Sequence, residues 1–231
     1  ATNSGANMTA TGKIAGADDF DGLDDAIDFY KYEDGNVWNI SGAITIKVWL
    51  NLQWRPRHGG WELDNPDYGI VSSGTGYEMC LFTETEGEPD PVELVPEGWF
   101  LIEGNQYDCC PQPYPNIPVL MDDWYLIDIV YDGTTMYTYV NSDLDSSMDA
   151  SPAGLIDGLP GDGLFVGMSS DLDGGVLGII DEVRVLKVGR DAEWIKACYN
   201  NQDYPAGFCN LGEEEEGGAS PPTLMEGDPS L

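Results

Sequence analysis

One carboxylate, that of Asp181, lies in the middle of an apolar run, GIIDEVRV at 178–185. Because side chains alternate between the two faces of a strand, we expect Asp181 on the face of the alternate isoleucine and valines, and Arg184 on the other. A carboxylate that faces a core is costly unless it is paired, hydrogen-bonded or bound to a cation. The run therefore predicts a partner for Asp181, which is either backbone N–H groups from the turn at 174–175 or a neighbouring loop, or a metal ion.

Aromatic side chains are a second candidate for chemistry, because their faces stack on sugar rings. The chain has 7 Trp and 12 Tyr. Aromatic residues also fill sandwich cores and protein interfaces, and the sequence leaves these uses open. The residues that we expect to point outward, as candidates for ligand binding, are Trp49, Trp54, Trp61, Trp99, Tyr137 and Tyr139.

The five cysteines match neither a CxxC redox motif nor a zinc-ligand spacing, and they predict disulfides in an oxidising compartment. We expect a short staple between Cys198 and Cys209. Cys80 is expected to bond Cys109 or Cys110, because adjacent cysteines rarely bond each other. The remaining thiol is either shielded or available to bridge a neighbouring subunit.

Two tripeptides, Asn7-Met8-Thr9 and Asn39-Ile40-Ser41, match the acceptor sequence for N-glycosylation. In a chain rich in Asn, Ser and Thr such matches also arise by chance. The sequence therefore leaves glycosylation of Asn7 and Asn39 open.

The elements that must position these residues are short strands. In ITIKVWLNL, Ile44, Ile46, Val48, Leu50 and Leu52 alternate with polar residues, which predicts a half-buried strand. Similar runs recur at GIVSS, GYEMCLF, GWFLIEG, WYLIDIVY, TMYTYVN, GLFVGM and IIDEVRV, separated by Gly, Pro, Asn and Asp. Many strands with one short helix, RDAEWIKACYNN at 190–201, predict an all-β sandwich or barrel with a helix at its C-terminal end.

Three segments depart from this pattern. Residues 83–98 and 105–118 are rich in proline and predict long loops. The acidic, Gly- and Pro-rich tail at 213–231 is expected to be ordered only by a partner. We therefore expect one sandwich domain over 1–212, followed by this tail.

Charge excludes some classes of partner. The chain has 42 acidic and 9 basic side chains and a formal net charge of -33. Such a surface repels nucleic-acid phosphates and anionic membranes, while it attracts cations. No run approaches the roughly 18 apolar residues that a membrane helix needs, so we expect neither nucleic-acid binding nor membrane insertion.

The order of these segments resembles a LamG-type, concanavalin A-like jelly-roll domain. FDGLDDAIDF at 20–29 is similar to the opening strand of that family, ITIKVWLNL to its second strand, DWYLIDIVYDGTTMYTYVN to its central hairpin and GIIDEVRVLKV to its closing strand. The segment after the domain, from AEWIKACYNN onward, resembles that of large archaeal and bacterial surface proteins. The resemblance implies an antiparallel β-sandwich with one short C-terminal helix.

One departure concerns the turn that follows the hairpin. The family turns through Asn-Gly, whereas here Asn141 is followed by Ser142, Asp143 and Leu144. We expect a longer turn at this point.

The resemblance also implies a metal. In this superfamily the aspartate of the closing strand commonly ligates a structural calcium ion, together with oxygens near the opening strand. Here that set would be Asp181 with Asp21, Asp24 and Asp25, which supply the hard oxygen ligands that Ca²⁺ prefers. Backbone N–H groups around Asp181 are the alternative.

Related glucanases on this fold carry two glutamates around an aspartate on one strand, and the nearest string here is ELDNPD at 62–67. Pro66 would interrupt a central strand, and the last carboxylate is an aspartate. The single histidine, His58, gives no basis for a metal triad or a serine–histidine relay. We therefore expect that the chain is not an enzyme.

The resemblance to surface proteins favours a non-catalytic, extracellular or cell-surface subunit with a structural or adhesive role in a filament, sheath or surface layer. Its partners would be other copies of itself or neighbouring surface-protein subunits. The alternative is a calcium-dependent carbohydrate-binding module whose ligands are glycans.

Overall fold

The computed structural model describes residues 2–29, 40–53, 68–74, 76–83, 94–108, 117–151, 154–157, 163–169 and 175–208. Within these ranges the strands are β1 (Thr2–Ser4), β2 (Asn7–Thr11), β3 (Gly16–Asp21), β4 (Ala26–Asp28), β5 (Ile44–Leu52), β6 (Tyr68–Ser73), β7 (Tyr77–Thr83), β8 (Leu94–Ile102), β9 (Asn105–Asp108), β10 (Trp124–Tyr131), β11 (Thr135–Val140), β12 (Asp143–Asp149), β13 (Phe165–Val166) and β14 (Leu177–Leu186). Two helices follow, α1 (Ala192–Asp203) and α2 (Pro205–Phe208). Neither helix is long and apolar enough to cross a membrane, as far as the described residues go.

The strands form two antiparallel sheets of seven strands each, which confirms the predicted β-sandwich. The first sheet has the order β1-β4-β13-β6-β7-β8-β9, and the second has the order β12-β11-β10-β5-β14-β3-β2. The apolar core lies between them and includes Phe20, Tyr77, Met79, Phe100 and Tyr131. We call the side of each sheet that faces this core its inner side, and the other its outer side.

Strand β5 shows how the sequence builds this core. Its five alternate apolar residues all lie in the core, as predicted. Its outer side is also buried, because Thr45, Lys47 and Trp49 are each 0 % exposed. The prediction of a half-buried strand is therefore wrong, because helix α1 covers Lys47 and Trp49 and the segment before that helix covers Thr45.

Helix α1 lies against the outer side of the second sheet. Asp191 caps its N-terminus by accepting a hydrogen bond of 2.8 Å from the backbone N–H of Trp194. Ile195 is 0 % exposed and packs in a second apolar cluster with Val130 and Tyr139. The predicted C-terminal helix is confirmed, and its apolar face adds a third layer to the sandwich.

Strand β14 carries a β-bulge that changes which side its residues face. The pairing with β5 shifts between Asp181 and Arg184, where β14 has one extra residue, and Glu182 adopts a φ of 54°. Ile180 lies in the core before the bulge, and Val183 and Val185 pack against the core after it. Asp181 thus lies on the outer side, opposite Trp49, and the expectation that it faces the core with the valines is wrong.

The turn between β11 and β12 is shorter than expected. Val140 pairs directly with Asp143, so the turn has two residues, Asn141 and Ser142, with φ values of 51° and 73°. The Asn141 side chain stabilises it by accepting a hydrogen bond of 2.9 Å from the backbone N–H of Leu126. Asparagine tolerates this left-handed conformation, so a tight turn forms without glycine.

Three further segments differ from their predicted structure. Residues 94–98 belong to β8 and residues 105–108 form β9, although both were expected in long loops. The turn of this β8–β9 hairpin is Glu103 and Gly104, both in the left-handed region. The segment FDGLDDAIDF is not one strand, because β3 ends at Asp21 in the second sheet and β4 begins at Ala26 in the first.

Candidate functional site

The crossing from β3 to β4 brings three aspartates together. One carboxylate oxygen from each of Asp21, Asp24 and Asp25 lies within 4.8 Å of the others. The turn is held by two hydrogen bonds of 2.8 Å, from the Asp21 N–H to Asp25 Oδ2 and from the Leu23 N–H to Asp21 Oδ1. Gly22 makes the turn possible, because its φ is 75° and a Cβ there would lie 2.8 Å from that of Leu177. We call these three aspartates the triad.

The triad is crowded with negative charge. Asp25 is only 9 % exposed. Burial raises the pKa of its carboxyl; the Asp21 N–H opposes this rise, and the charges of Asp21, Asp24 and Asp19 add to it. A cation at this point would relieve both the burial and the repulsion, and three carboxylates are a donor set for a hard metal ion. The triad could therefore hold a metal ion.

Asp181 does not join the triad. On β14, Leu177 is the partner of Asp21, and Asp181 lies four residues farther along, a separation of about 13 Å at the rise of a strand. Its Oδ2 accepts a hydrogen bond of 2.8 Å from the backbone N–H of Ile14, in the turn between β2 and β3. The alternative partner, a backbone N–H from a neighbouring loop, is thus present in the structure.

This contact continues around Asp181. A Cβ at Gly12 would lie 2.5 Å from Asp181 Oδ2, so a larger residue at that position would displace the carboxylate from the turn. Burial raises the pKa of Asp18, and the charge of Asp181 raises it further. The β2–β3 turn therefore supplies a hydrogen-bond donor to Asp181, and the charge of Asp181 acts on Asp18 of the neighbouring strand β3.

Three of the predicted outward aromatic residues lie on the outer side of the second sheet, under or beside α1. Trp49 stacks on Tyr199 at 5.8 Å between ring centroids, and its Nε1 donates a hydrogen bond of 3.0 Å to Gln202. Tyr137 and Tyr139 stack on each other at 6.2 Å, and Tyr139 is 6 % exposed. Trp49 does point away from the core, but the expectation that it is available on the surface is wrong, because α1 covers it.

Trp99 lies on the outer side of the first sheet and is half-buried. The register places Ser72, Glu78, Trp99 and Asp108 side by side on four neighbouring strands, β6 to β9. We call these four residues the transverse row. Ser72 and Glu78 are buried, whereas Asp108 is exposed on the edge strand β9, so the row opens toward solvent at Trp99 and Asp108.

The open end of the transverse row is polar and ordered. Gln106 Nε2 donates a hydrogen bond of 2.8 Å to Asp108 Oδ1, which fixes the carboxylate on the strand next to the Trp99 ring. Leu101 pairs with Gln106 and adds a half-buried apolar side chain on the same side. The arrangement offers an aromatic surface with a carboxylate and an amide beside it.

Sequence reasoning missed Gln106 and Asp108, because β9 was expected to be loop. A weak signal was present in Gly104, because glycine readily adopts the positive φ that the second residue of a two-residue hairpin turn needs. Counting outward from that turn pairs Trp99 with Asp108, as the structure does.

Several predicted residues lie outside the described part of the chain: Trp54, Trp61, Cys109, Cys110, Cys209, the string at 62–67 and the tail at 213–231. Cys80 is buried on the outer side of β7. Its expected partners, Cys109 and Cys110, are not described. Cys198 on α1 forms no disulfide with a cysteine in the described part of the chain. Because its expected partner is not described, the bond from Cys198 to Cys209 stays a prediction, as does that from Cys80 to Cys109 or Cys110.

Comparison with known sequences gives one match that covers most of the chain. The profile of Laminin_G_3, described as the concanavalin A-like lectin/glucanases superfamily, matches residues 20–196. A local match of 32 % identity over 102 residues relates the chain to acetylcholine receptor subunit alpha-type acr-16 of Caenorhabditis briggsae. It covers 37 % of this chain and 18 % of the receptor subunit, so the chain spans less than a fifth of that relative.

Solved structures share the fold at low identity. A putative carbohydrate-binding protein from Bacteroides ovatus is 18 % identical with a TM-score of 0.51, over 74 % of this chain and 44 % of that one. Domain 4 of the extracellular arabinanase AbnA from Geobacillus stearothermophilus, solved with arabinotriose, is 16 % identical with a TM-score of 0.53, over 85 % and 80 % of the two chains. The binding domain of Paraclostridial Mosquitocidal Protein 1 is 14 % identical with a TM-score of 0.61, over 87 % and 47 %. The chain thus spans less than half of the first and third of these structures.

Proposed function

Since the chain belongs to the concanavalin A-like lectin/glucanase superfamily, we propose that it is a non-catalytic, extracellular carbohydrate-binding domain. Solved structures with this fold include a putative carbohydrate-binding protein and a domain bound to arabinotriose. These likenesses favour the carbohydrate-binding alternative over the structural subunit of a filament, sheath or surface layer that we expected first. The ligands we propose are therefore glycans.

The observation that carries the proposal is the open end of the transverse row. The half-buried Trp99 ring offers an apolar face, and Asp108 and Gln106 offer an acceptor and an amide within one strand spacing of it. Ligand sites of this kind combine apolar surface with a few placed polar groups that fix orientation. A sugar has both kinds of surface, because its ring C–H groups pack on an aromatic face while its hydroxyls bind carboxylates and amides.

The test is a glycan-binding measurement on the Trp99→Ala variant. The probes are an array of arabino-, xylo-, gluco-, galacto- and manno-oligosaccharides, with titration calorimetry on each oligosaccharide bound. We expect Trp99→Ala to weaken binding about tenfold or more, which corresponds to about 1.4 kcal/mol.

Tyr204→Ala is the matched control, because Tyr204 is an aromatic residue 67 % exposed at the far end of α1. It should bind as the unmodified chain does. Equal affinity of Trp99→Ala and the unmodified chain would reject the transverse row as the ligand site.

We also propose that the triad binds a structural calcium ion. The support is its all-carboxylate donor set and its place at the crossing between the two sheets, where a cation would tie β3 to β4. A ligand that binds only the folded state stabilises it by about 2.7 kcal/mol at 100 times its dissociation constant.

The calcium proposal is tested by thermal unfolding with excess Ca²⁺ and with a chelator. Chelation should lower the melting temperature of the unmodified chain, and Asp24→Asn should abolish the difference. Asp181→Asn is the control, since Asp181 lies outside the triad and should leave the chelator effect in place. Identical melting curves of the unmodified chain in both buffers would exclude the ion.

A further inference from the structure

We propose that Asn7 is an N-glycosylation site. Asn7, Met8 and Thr9 form an acceptor tripeptide, and all three residues are exposed on β2. Met8 is 62 % exposed, so the tripeptide has free space around it in the folded chain. A glycan at this position is accommodated without any change in the fold.

The hydrogen bonds of the Asn7 carboxamide leave its nitrogen available. Its Oδ1 accepts from the Thr9 hydroxyl at 2.8 Å and from the Thr9 N–H at 3.2 Å. The Nδ2 atom, which would carry the sugar, makes no hydrogen bond among the described residues. Both hydrogen bonds to Asn7 Oδ1 can remain when Nδ2 is linked to a sugar. The glycan therefore requires no change in the hydrogen bonding between Asn7 and Thr9.

The position of β2 at the edge of the second sheet determines which surface a glycan at Asn7 would cover. β2 is the last strand of the second sheet, and it pairs only with β3 in the described part of the chain. The pairing shifts between Asn7 and Ala10, so Met8 and Thr9 lie in an irregular stretch of the edge. The open edge, with its exposed methionine, is a surface on which another strand can add, and natural proteins protect such edges. A glycan at Asn7 would shield it.

The acceptor residue of the second tripeptide, Asn39, lies outside the described part of the chain. Its neighbour Ile40 is 4 % exposed and lies in the core, and the Ser41 carbonyl accepts a hydrogen bond of 3.0 Å from the backbone N–H of Ile156. The described contacts therefore support a proposal for Asn7 alone.

The modification uses a lipid-phosphate- or lipid-pyrophosphate-linked oligosaccharide as donor. A bond forms between Asn7 Nδ2 and the sugar C1, and the bond from C1 to the phosphate oxygen breaks. The lipid phosphate leaves with the electron pair, and one Nδ2 proton passes to a base of the transferase. No oxidant or reductant is needed.

The experiment is peptide mapping of the full chain secreted from a eukaryotic host. Lys13 is the first basic residue, so trypsin releases residues 1–13 as one peptide. We expect this peptide to carry a saccharide mass, and a peptide N-glycosidase to release it and convert Asn7 to Asp.

Three variants define the site. Asn7→Gln and Thr9→Ala should each return the peptide to its unmodified mass, while Thr9→Ser should keep the glycan. Asn39→Gln is the matched control and should leave the glycan on residues 1–13 unchanged. An unmodified 1–13 peptide from the secreted, unaltered chain would overturn the proposal, whatever is found at Asn39.

Discussion

Lys47 and Asp128 are both 0 % exposed, although proteins rarely bury either residue type. They face each other on β5 and β10, with Lys47 Nζ 3.3 Å from both carboxylate oxygens. The Trp194 ring of α1 lies 5.6 Å from Nζ and closes the pair off from solvent. Each charge is tolerable only because the other is present, since an isolated charge in this place would be uncompensated.

Asp128 should make stability depend on pH. Burial raises the pKa of its carboxyl to about 6, from an ordinary value of 3.8, although Lys47 opposes the rise. The folded state therefore holds this proton more tightly than the unfolded chain does. The stability that protonated Asp128 adds to the folded state is fully present below pH 3.8 and is lost as the pH rises through about 6. We expect the loss to be on the order of 1–3 kcal/mol, measured by urea unfolding across this window.

The control is the double variant Lys47→Met/Asp128→Leu, because apolar residues of similar volume commonly replace a buried ion pair without loss of stability. Burial also raises the pKa values of Asp18 and Asp25, and both proteins share that part of the pH dependence. The difference between the two curves isolates Asp128. If the double variant loses stability with pH as steeply as the unmodified chain, the assignment to Asp128 is wrong.

At the scale of elements, Ser142 in the β11–β12 turn has a φ of 73°, a left-handed conformation that costs an ordinary residue about 1–2 kcal/mol. Glycine adopts it freely but loses about 0.5–1 kcal/mol more entropy on folding. Ser142→Gly should therefore raise the free energy of unfolding by about 0.5–1 kcal/mol, measured in urea.

Ser147→Gly is the matched control, because Ser147 lies within β12 opposite Tyr137 and glycine weakens a strand interior. It should lower stability. A destabilised Ser142→Gly variant would show that the serine side chain contributes more to this turn than its backbone costs.

Strand alternation predicted the inner side of β5 but not the burial of its outer side. The spacing of Ile44 and Ile46 predicts that they face the core. The burial of Lys47 and Trp49 depends on α1, which is distant in sequence and is not visible in the local pattern of β5. The β-bulge after Asp181 was not predicted for another reason. One extra residue reverses which side of the sheet the following side chains face, and the amino-acid composition of the strand gives no sign of it. Local pattern thus predicts elements well and fails where one element covers or bends another.

The candidate sites divide in the same way. Trp99 was identified from its residue type, but its neighbours Gln106 and Asp108 depend on the register of a hairpin that was expected to be loop. Asp21, Asp24 and Asp25 are close in sequence and also close in space. Asp181 was grouped with them by family resemblance, but the register of β14 on β3 places it four residues along β14 from Leu177, the partner of Asp21.

At the scale of the whole molecule, the net charge of -33 is a source of self-repulsion that the compact state must bear. Salt screens charges beyond a Debye length of about 8 Å at physiological ionic strength. The melting temperature should therefore rise by several degrees as NaCl is added from low salt, since 1 kcal/mol corresponds to about 2–4 °C for a domain of this size. Scanning calorimetry measures the rise.

KCl is the control for this salt effect, because screening depends on ionic strength and should give the same curve with either monovalent cation. A melting temperature that does not change with either salt would mean that the acidic side chains are too far apart, or too well paired, to repel one another.

The two N-terminal strands belong to different sheets, β1 at the edge of the first and β2 at the edge of the second, whereas β14 pairs on both sides inside the second sheet. The molecule is therefore mechanically asymmetric. Among the described residues, the three residues of β1 pair with one neighbouring strand, β4, so a pulling force that enters through β1 detaches them first. A force that enters through β14 must break its pairing with β5 and β3 together, so the sandwich resists tension from that side and yields from the other.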